Sequence, residues 1–248
     1  MIPKENNECE CVNDAQIPYE AREQLRPEVA KLLGQPVSIM FPAFHKAFPL
    51  TVAAMERHWP IPHLYCQRIT GVMPTVHDGR MIAYFASARE DLNLFFDTVP
   101  DFEQVEGTDF DRYNKMLPPK WVELYRWFHS FVITPMPVHQ RQYTNTPFRY
   151  SARLRVDEFC RYAKIKKQKG LDWAKKNKFE AEKLSCWLWT DGGDSLWLDE
   201  ARSDHKVYHM RNNSFDDVIL LTDADAKLDR YMAHVVSGGD PKNFSFRN

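Results

Sequence analysis

The stretch from Leu184 to Val236 constrains the fold of this chain more than any other. It opens with two apolar, aromatic runs, Leu184 to Trp189 and Ser195 to Asp199, separated by Asp191-Gly192-Gly193. Short runs of strand formers around a Gly-rich turn predict a β-hairpin. A third strand is expected around Val207 and Tyr208, and a fourth in the apolar run ending at Leu221. Leu228, Tyr231, Met232 and Val235 then recur at helical spacing and predict a closing helix over Ala224 to Val236. Four strands and one helix in little more than fifty residues require a sheet with a helix packed against it.

The rest of the chain mixes the same elements. Helices are expected at Pro27 to Leu33 and Ala43 to His58, and strands at Val37 to Phe41, Leu64 to Ile69 and Met81 to Ala86. A helix-like run follows from Ala88 to Phe96, so residues 25–110 read as an α/β part of the globule, preceded by a polar tail over 1–24. The acidic segment 100–116 suits a surface connection. After it, Leu117, Trp121, Leu124, Tyr125 and Phe128 mark one helix face, with prolines at its start, where a missing N–H costs little. In a chain of 248 residues a core of ordinary size needs neither disulfide nor metal. The expected class is α+β, mainly antiparallel sheet packed against helices.

Charge is distributed unevenly. Residues 149–183 hold twelve Lys or Arg against five Asp or Glu, and residues 189–229 hold ten acids against four bases. The basic segment predicts an amphipathic helix with Val156, Phe159, Cys160 and Ala163 as its apolar stripe. Gly170 should interrupt it, and a second helix should follow, anchored by Trp173. The whole chain has a net charge of −1, which gives no general affinity for nucleic acid or membranes. Few aromatic side chains are interleaved with the lysines, so stacking on bases is disfavoured and a nucleic-acid-binding module is the weaker reading of 149–183. No apolar run approaches the roughly 20 residues of a membrane span, and no secretory signal opens the chain, so a cytoplasmic protein is expected.

The candidate chemistry fails on spacing. Gly193-Asp194-Ser195-Leu196 spells the block of a family of serine esterases, which would make Ser195 a nucleophile. That family supplies its histidine as Asp-x-x-His downstream, but Arg202, Lys206 and Tyr231 stand three residues before His205, His209 and His234. His205 and His209 could chelate from one helix face, yet along a strand four residues span about 13 Å. Cys9 and Cys11 form a Cys-x-Cys pair. A zinc site needs four ligands and no second pair exists, so they read as two tail thiols. No catalytic residue, metal or cofactor is expected.

In their order, the second-half motifs resemble the SUKH superfamily of bacterial toxin-immunity proteins. The Leu-Pro-led helix with its aromatic stripe is matched at Leu117, Pro118, Trp121, Leu124 and Phe128. The Gly-Asp-led strand ending in an acid is matched at Gly193, Asp194, Leu196 and Asp199, the Val-Tyr strand at Val207 and Tyr208, and the closing helix at Ala224 to Val236. The resemblance covers residues of about 110–240 and implies a SUKH-like α+β core over 111–248. It also implies binding: a cognate toxin, possibly a nuclease, gripped so that its active site is occluded. The acids of the stretch, Asp191, Asp194, Asp199, Glu200 and Asp204, with Trp197 and Tyr208 as aromatic anchors, are the residues expected to meet that partner.

Overall fold

The computed structural model describes residues 9–68, 81–90, 92–98, 117–135, 145–149, 154–190, 192–202 and 204–247. The fold is α+β. Among the described residues eleven strands form two antiparallel sheets, each a simple progression along the chain. The first contains β1 (Cys9–Cys11), β2 (His63–Arg68), β3 (Met81–Arg89), β4 (Leu92–Thr98), β5 (Phe128–Pro135) and β6 (Asn145–Arg149). The second contains β7 (Leu154–Arg155), β8 (Leu184–Trp189), β9 (Ser195–Asp199), β10 (Val207–Met210) and β11 (Val218–Leu221). The first sheet thus runs on past residue 110 to Arg149. Nine α-helices lie among the described residues: α1 (Tyr19–Arg22), α2 (Pro27–Ala30), α3 (Val37–Met40), α4 (Pro42–Ala47), α5 (Pro49–His58), α6 (Pro119–Trp127), α7 (Val156–Tyr162), α8 (Lys167–Lys176) and α9 (Ala224–Val236).

Proline sets the helical punctuation. Pro42, Pro49 and Pro119 each stand in the first turn of their helix, where proline has no donor to lose. Pro49 also divides the expected helix over 43–58 in two, because it cannot donate the next intrahelical bond. Val37–Met40, expected as a strand, is helical: the amides of Ile39 and Met40 both donate to Pro36 O at 3.0 Å. Packing of Val37 and Met40 into the core overrides the weak strand preference of their side chains. The expected helix at 88–96 is instead a hairpin, with Arg89 opposite Leu92 and Glu90 in the left-handed region at φ 47°. Leu94 and Phe96 alternate with Asn93 and Phe95, which is the period of a strand.

The helices α3 to α5 cover the first sheet with phenylalanine. Phe41, Phe44 and Phe48 are fully buried with Phe85, Phe96, Phe128 and Phe131. Phe128 lies at the centre, 4.9 Å from Phe41, 4.8 Å from Phe44 and 4.9 Å from Phe131, ring centre to ring centre. These are the tilted and edge-on arrangements that aromatic quadrupoles favour. The same core takes in Trp187, Leu196, Leu198 and Val207 from the second sheet and Tyr231, Met232, Val235 and Val236 from α9.

Polar contacts join α5 to α9 at both ends. The Asp229 carboxylate accepts from the amides of Leu50 and Thr51 at 3.0 and 2.8 Å and from Thr51 Oγ1 at 2.7 Å. An acid from α9 therefore caps the N-terminus of α5, where unsatisfied amides and the helix dipole favour negative charge. At the other end Trp59 Nε1 donates to Val236 O at 3.0 Å.

The second sheet is covered on both faces. Its outer face packs under α7 and α8 through Val156, Phe159, Cys160, Leu184, Cys186, Trp197, Met210 and Phe215. The helix α8 runs through Gly170, and the break between the two basic helices falls earlier, at Lys164 with φ 56°. A Cβ at position 170 would stand 2.6 Å from Val156 Cγ1. Glycine is there to let the helices approach, not to stop one of them.

Candidate functional site

The expected contact surface was the acidic hairpin, and the structure turns most of it inward. Trp197 is 1 % exposed, in the core beneath α7, with its ring 4.8 Å from Phe159. Its Nε1 donates to Ser195 Oγ at 2.8 Å. It has no surface to offer a partner. The reason lies in β8, where a bulge between Cys186 and Leu188 leaves Trp187 opposite no residue of β9. Trp187 and Leu188 consequently face the main core, while Cys186 and Trp189 face the helices. Simple alternation would have put Trp187 and Trp189 on one face, and one inserted residue parts them.

The acids are engaged with neighbours. Glu200 pairs with Arg155 Nη2 at 3.1 Å and accepts a short hydrogen bond from Ser185 Oγ. Asp199 holds Arg202 Nε at 3.0 Å and the amide of Ala201 at 3.0 Å. Asp194 accepts from the amide of Asn212 at 3.1 Å and bonds His209 Nε2 at 3.0 Å, tying the turn to β10. Asp204 stays exposed but pairs with Lys206 Nζ at 3.0 Å. Burial pushes its carboxyl up a little, and the Lys206 amide and ammonium outweigh that and hold it below the ordinary carboxylate range. Asp191 lies outside the described residues. Of the six expected residues that are described, Asp204 is exposed, Tyr208 and Asp194 are half-buried, and Trp197, Asp199 and the Glu200 carboxylate are buried.

Tyr208 points to a different surface. It pairs with Leu220 across β10 and β11, so the two side chains share a face. Its ring meets Phe179 at 5.0 Å, and Arg202 lies over the same Phe179 at 5.4 Å. Burial pushes the phenol above its ordinary value, against the pull of Arg202. Beside it, Leu220 is 48 % exposed, and Ile219, on the opposite face of the same strand, is 36 % exposed. β11 is the terminal strand of its sheet among the described residues, with exposed Asp216 before it and exposed Asp223 after it. An apolar edge strand presents unpaired backbone groups to any chain that can add a strand. The sequence reading missed this, because four consecutive apolar residues imply burial on both faces. The usable signal was the pair of acidic turns that bracket them.

The structure also places the residues of the chemical alternatives. Ser195 is fully buried and pairs with Met210, placing it on the helix-facing side of the sheet. His209, one residue along, takes the opposite face, where its ring packs 5.1 Å from Phe246. Among the described residues Ser195 therefore meets neither solvent nor a base that could activate it, and its hydroxyl oxygen accepts from the Trp197 indole. His205 sits in a turn at φ 53°, apart from the strand that carries His209. The lysines of α8 are exposed, with Lys167 held loosely to Asp157 at 3.7 Å.

Two further features lie in the first sheet's half. A cavity of about 300 Å³ opens among Val37, Met55, Trp59, Ile61, Leu94 and Phe96. Its polar groups face backbone: Glu56 accepts from the Ser38 amide at 2.8 Å and Ser87 Oγ donates to Pro60 O at 2.6 Å. At the sheet edge, Cys66 lies opposite Cys9 and brings a third thiol to the Cys9–Cys11 pair. Burial pushes the Cys11 thiol up to about 11 and the Cys66 thiol higher still. At neutral pH both are protonated, and poor nucleophiles as a result.

No family profile, curated protein or solved structure matches this chain. Among the described residues no helix is long and apolar enough to cross a membrane.

Proposed function

We propose that the chain is a binding protein of the immunity type, which neutralises a cognate bacterial toxin by covering its active site. The observation that carries this reading is the mutual placement of the SUKH-like motifs. The Gly-Asp-led strand β9 pairs directly with the Val-Tyr strand β10, Leu198 opposite Val207 and Trp197 opposite Tyr208. The Leu-Pro-led helix α6 docks onto the neighbouring strand, where Tyr125 OH donates to Trp187 O at 2.8 Å. The closing helix α9 adds its apolar face to the same core. Four segments separated in sequence thus build around one sheet in the order that the resemblance implies.

The contact surface is the β11 edge with Leu220 and Tyr208 on one face, not the acidic hairpin. Asp199 and Glu200 are paired with Arg202 and Arg155, and Asp194 is tied to His209 and the Asn212 amide, so charge complementarity to a basic nuclease no longer supports one class of toxin over another. Main-chain pairing at an open edge, anchored by Leu220 beside an aromatic, supports occlusion of a surface by strand addition.

Co-expression with the toxin encoded by the neighbouring gene tests the proposal. The expected result is a stable complex and protection of the host cell. Failure both to bind and to protect ends it. Leu220→Asp should weaken the complex by about 10- to 100-fold, as loss of an interface anchor does, and leave the unfolding midpoint nearly unchanged.

A further inference from the structure

We propose that Cys9, Cys11 and Cys66 form a binding site for a thiophilic d10 metal ion, zinc(II) or copper(I). Their three sulfurs all lie within 4.8 Å of one another, and Cys11 Sγ is 3.3 Å from Cys66 Sγ. Three thiolates at a metal–sulfur distance of about 2.3 Å in tetrahedral geometry stand about 3.8 Å apart. The observed spacing brackets that value, so an ion is accommodated by rotation of side chains without moving a strand.

The strands deliver this arrangement. Cys9 and Cys11 are two apart on β1 and share its inner face, and the antiparallel register sets Cys9 opposite Cys66 and Cys11 opposite Leu64. Glu10 and His63 project from the opposite face, where His63 Nδ1 meets Glu10 Oε1 at 2.9 Å. That pair holds β1 in register and keeps its own groups away from the sulfurs. Cys11 and Cys66 are buried and Cys9 is half-buried, so the site is closed on the core side and reached past Cys9. The two ions differ in what they need there. Zinc requires a fourth ligand, which water can supply from the Cys9 side, whereas thiolates of this number alone suit copper(I). Either ion would clip the three-residue edge strand β1 to β2.

The test uses the full chain without an affinity tag, reduced with a phosphine and loaded separately with zinc(II) and, anaerobically, with copper(I). The expected result is about one ion per chain retained through gel filtration, and a thiolate-to-metal charge-transfer band when cobalt(II) replaces zinc. Which ion survives competition with a chromophoric chelator assigns the geometry. Cys9→Ser, at the half-buried position, should keep the fold and lose affinity about tenfold or more, while Cys160→Ser on the far side of the second sheet should bind as the wild type. Retention of no ion in either arm overturns the proposal. So does binding by Cys9→Ser equal to the wild type.

Discussion

The two sheets solve the same packing problem with different residues. The first is sealed by hydrocarbon: Phe44 of α4, Phe41 and Phe48 at the junctions on either side of it, and Phe85, Phe96, Phe128 and Phe131 of strands β3 to β5 form one buried cluster. The second, drawn from the most charged part of the chain, has ionic and hydrogen-bonded pairs along its strand ends, with Glu200 to Arg155, Asp199 to Arg202 and Asp194 to His209. The difference teaches that acidity in sequence is not acidity at the surface. A stretch with an excess of acids can fold so that the acids at its strand ends meet counterparts, and it then exposes apolar side chains beside the remaining acids, as at Ile219 and Leu220. Electrostatic reasoning about partners has to follow the pairing.

The largest effect expected from this comparison is in the first sheet. Phe128→Ala removes the ring at the centre of the cluster and should cost about 3–5 kcal/mol, since the surrounding rings can close the space only in part. Urea unfolding would show the loss as a lower midpoint. A cost under about 1 kcal/mol would mean that the cluster repacks freely, and the contrast between a hydrocarbon-sealed and a pair-sealed sheet would fall.

In the second sheet the decisive residue is Glu200. Its carboxylate is buried beside Arg155 and Ser185, and Arg155 Nη1 also donates to Ser185 Oγ at 2.8 Å, closing a triangle. Glu200→Ala leaves the Arg155 guanidinium without its carboxylate and should cost about 1–3 kcal/mol. Glu200→Gln, which keeps an acceptor for Ser185, should cost less. If Glu200→Ala leaves stability unchanged and instead weakens toxin binding, the acid is a contact after all and the comparison breaks at its second member.

How much of this was legible in the sequence follows from the range of each signal. The strands β8 to β11 and the helix α9 were legible because alternation, Gly-rich turns and helical spacing are local. Ala88 to Phe96 misled because a short apolar run fits either period, and only the strand pairing with Met81–Arg89 decides it. The faces of Trp187 and Trp189 depended on one bulged residue, which no composition records. Cys66 could not be joined to Cys9 and Cys11 because 55 residues separate Cys11 from Cys66 and only the β1–β2 register brings them together. Arg155, the partner that removes Glu200 from the surface, likewise arrives from a different strand. The open edge at Leu220 was hidden by its own hydrophobicity.

The smallest effect tests two acids one turn apart on α9. Asp229 is buried and fully answered by the start of α5, whereas among the described residues one buried oxygen of Asp225 makes no hydrogen bond of good geometry. Burial pushes the Asp225 carboxyl above its ordinary value, with Lys120 and the Trp121 indole pulling it back only in part. A carboxyl whose pKa is raised on folding is protonated more readily in the folded than in the unfolded chain. Its ionised form therefore costs stability at neutral pH, and that cost is relieved as pH falls through the folded pKa. Asp225→Asn removes the ionisation. The variant should match the wild type or exceed it by up to about 0.5 kcal/mol at pH 7, and the advantage should shrink in acid as the wild type recovers. Unfolding midpoints at neutral and mildly acidic pH measure both. A variant less stable than the wild type at pH 7 would show that Lys120 and Trp121 answer Asp225 as fully as α5 answers Asp229, and the helix would then carry two satisfied acids where one is expected.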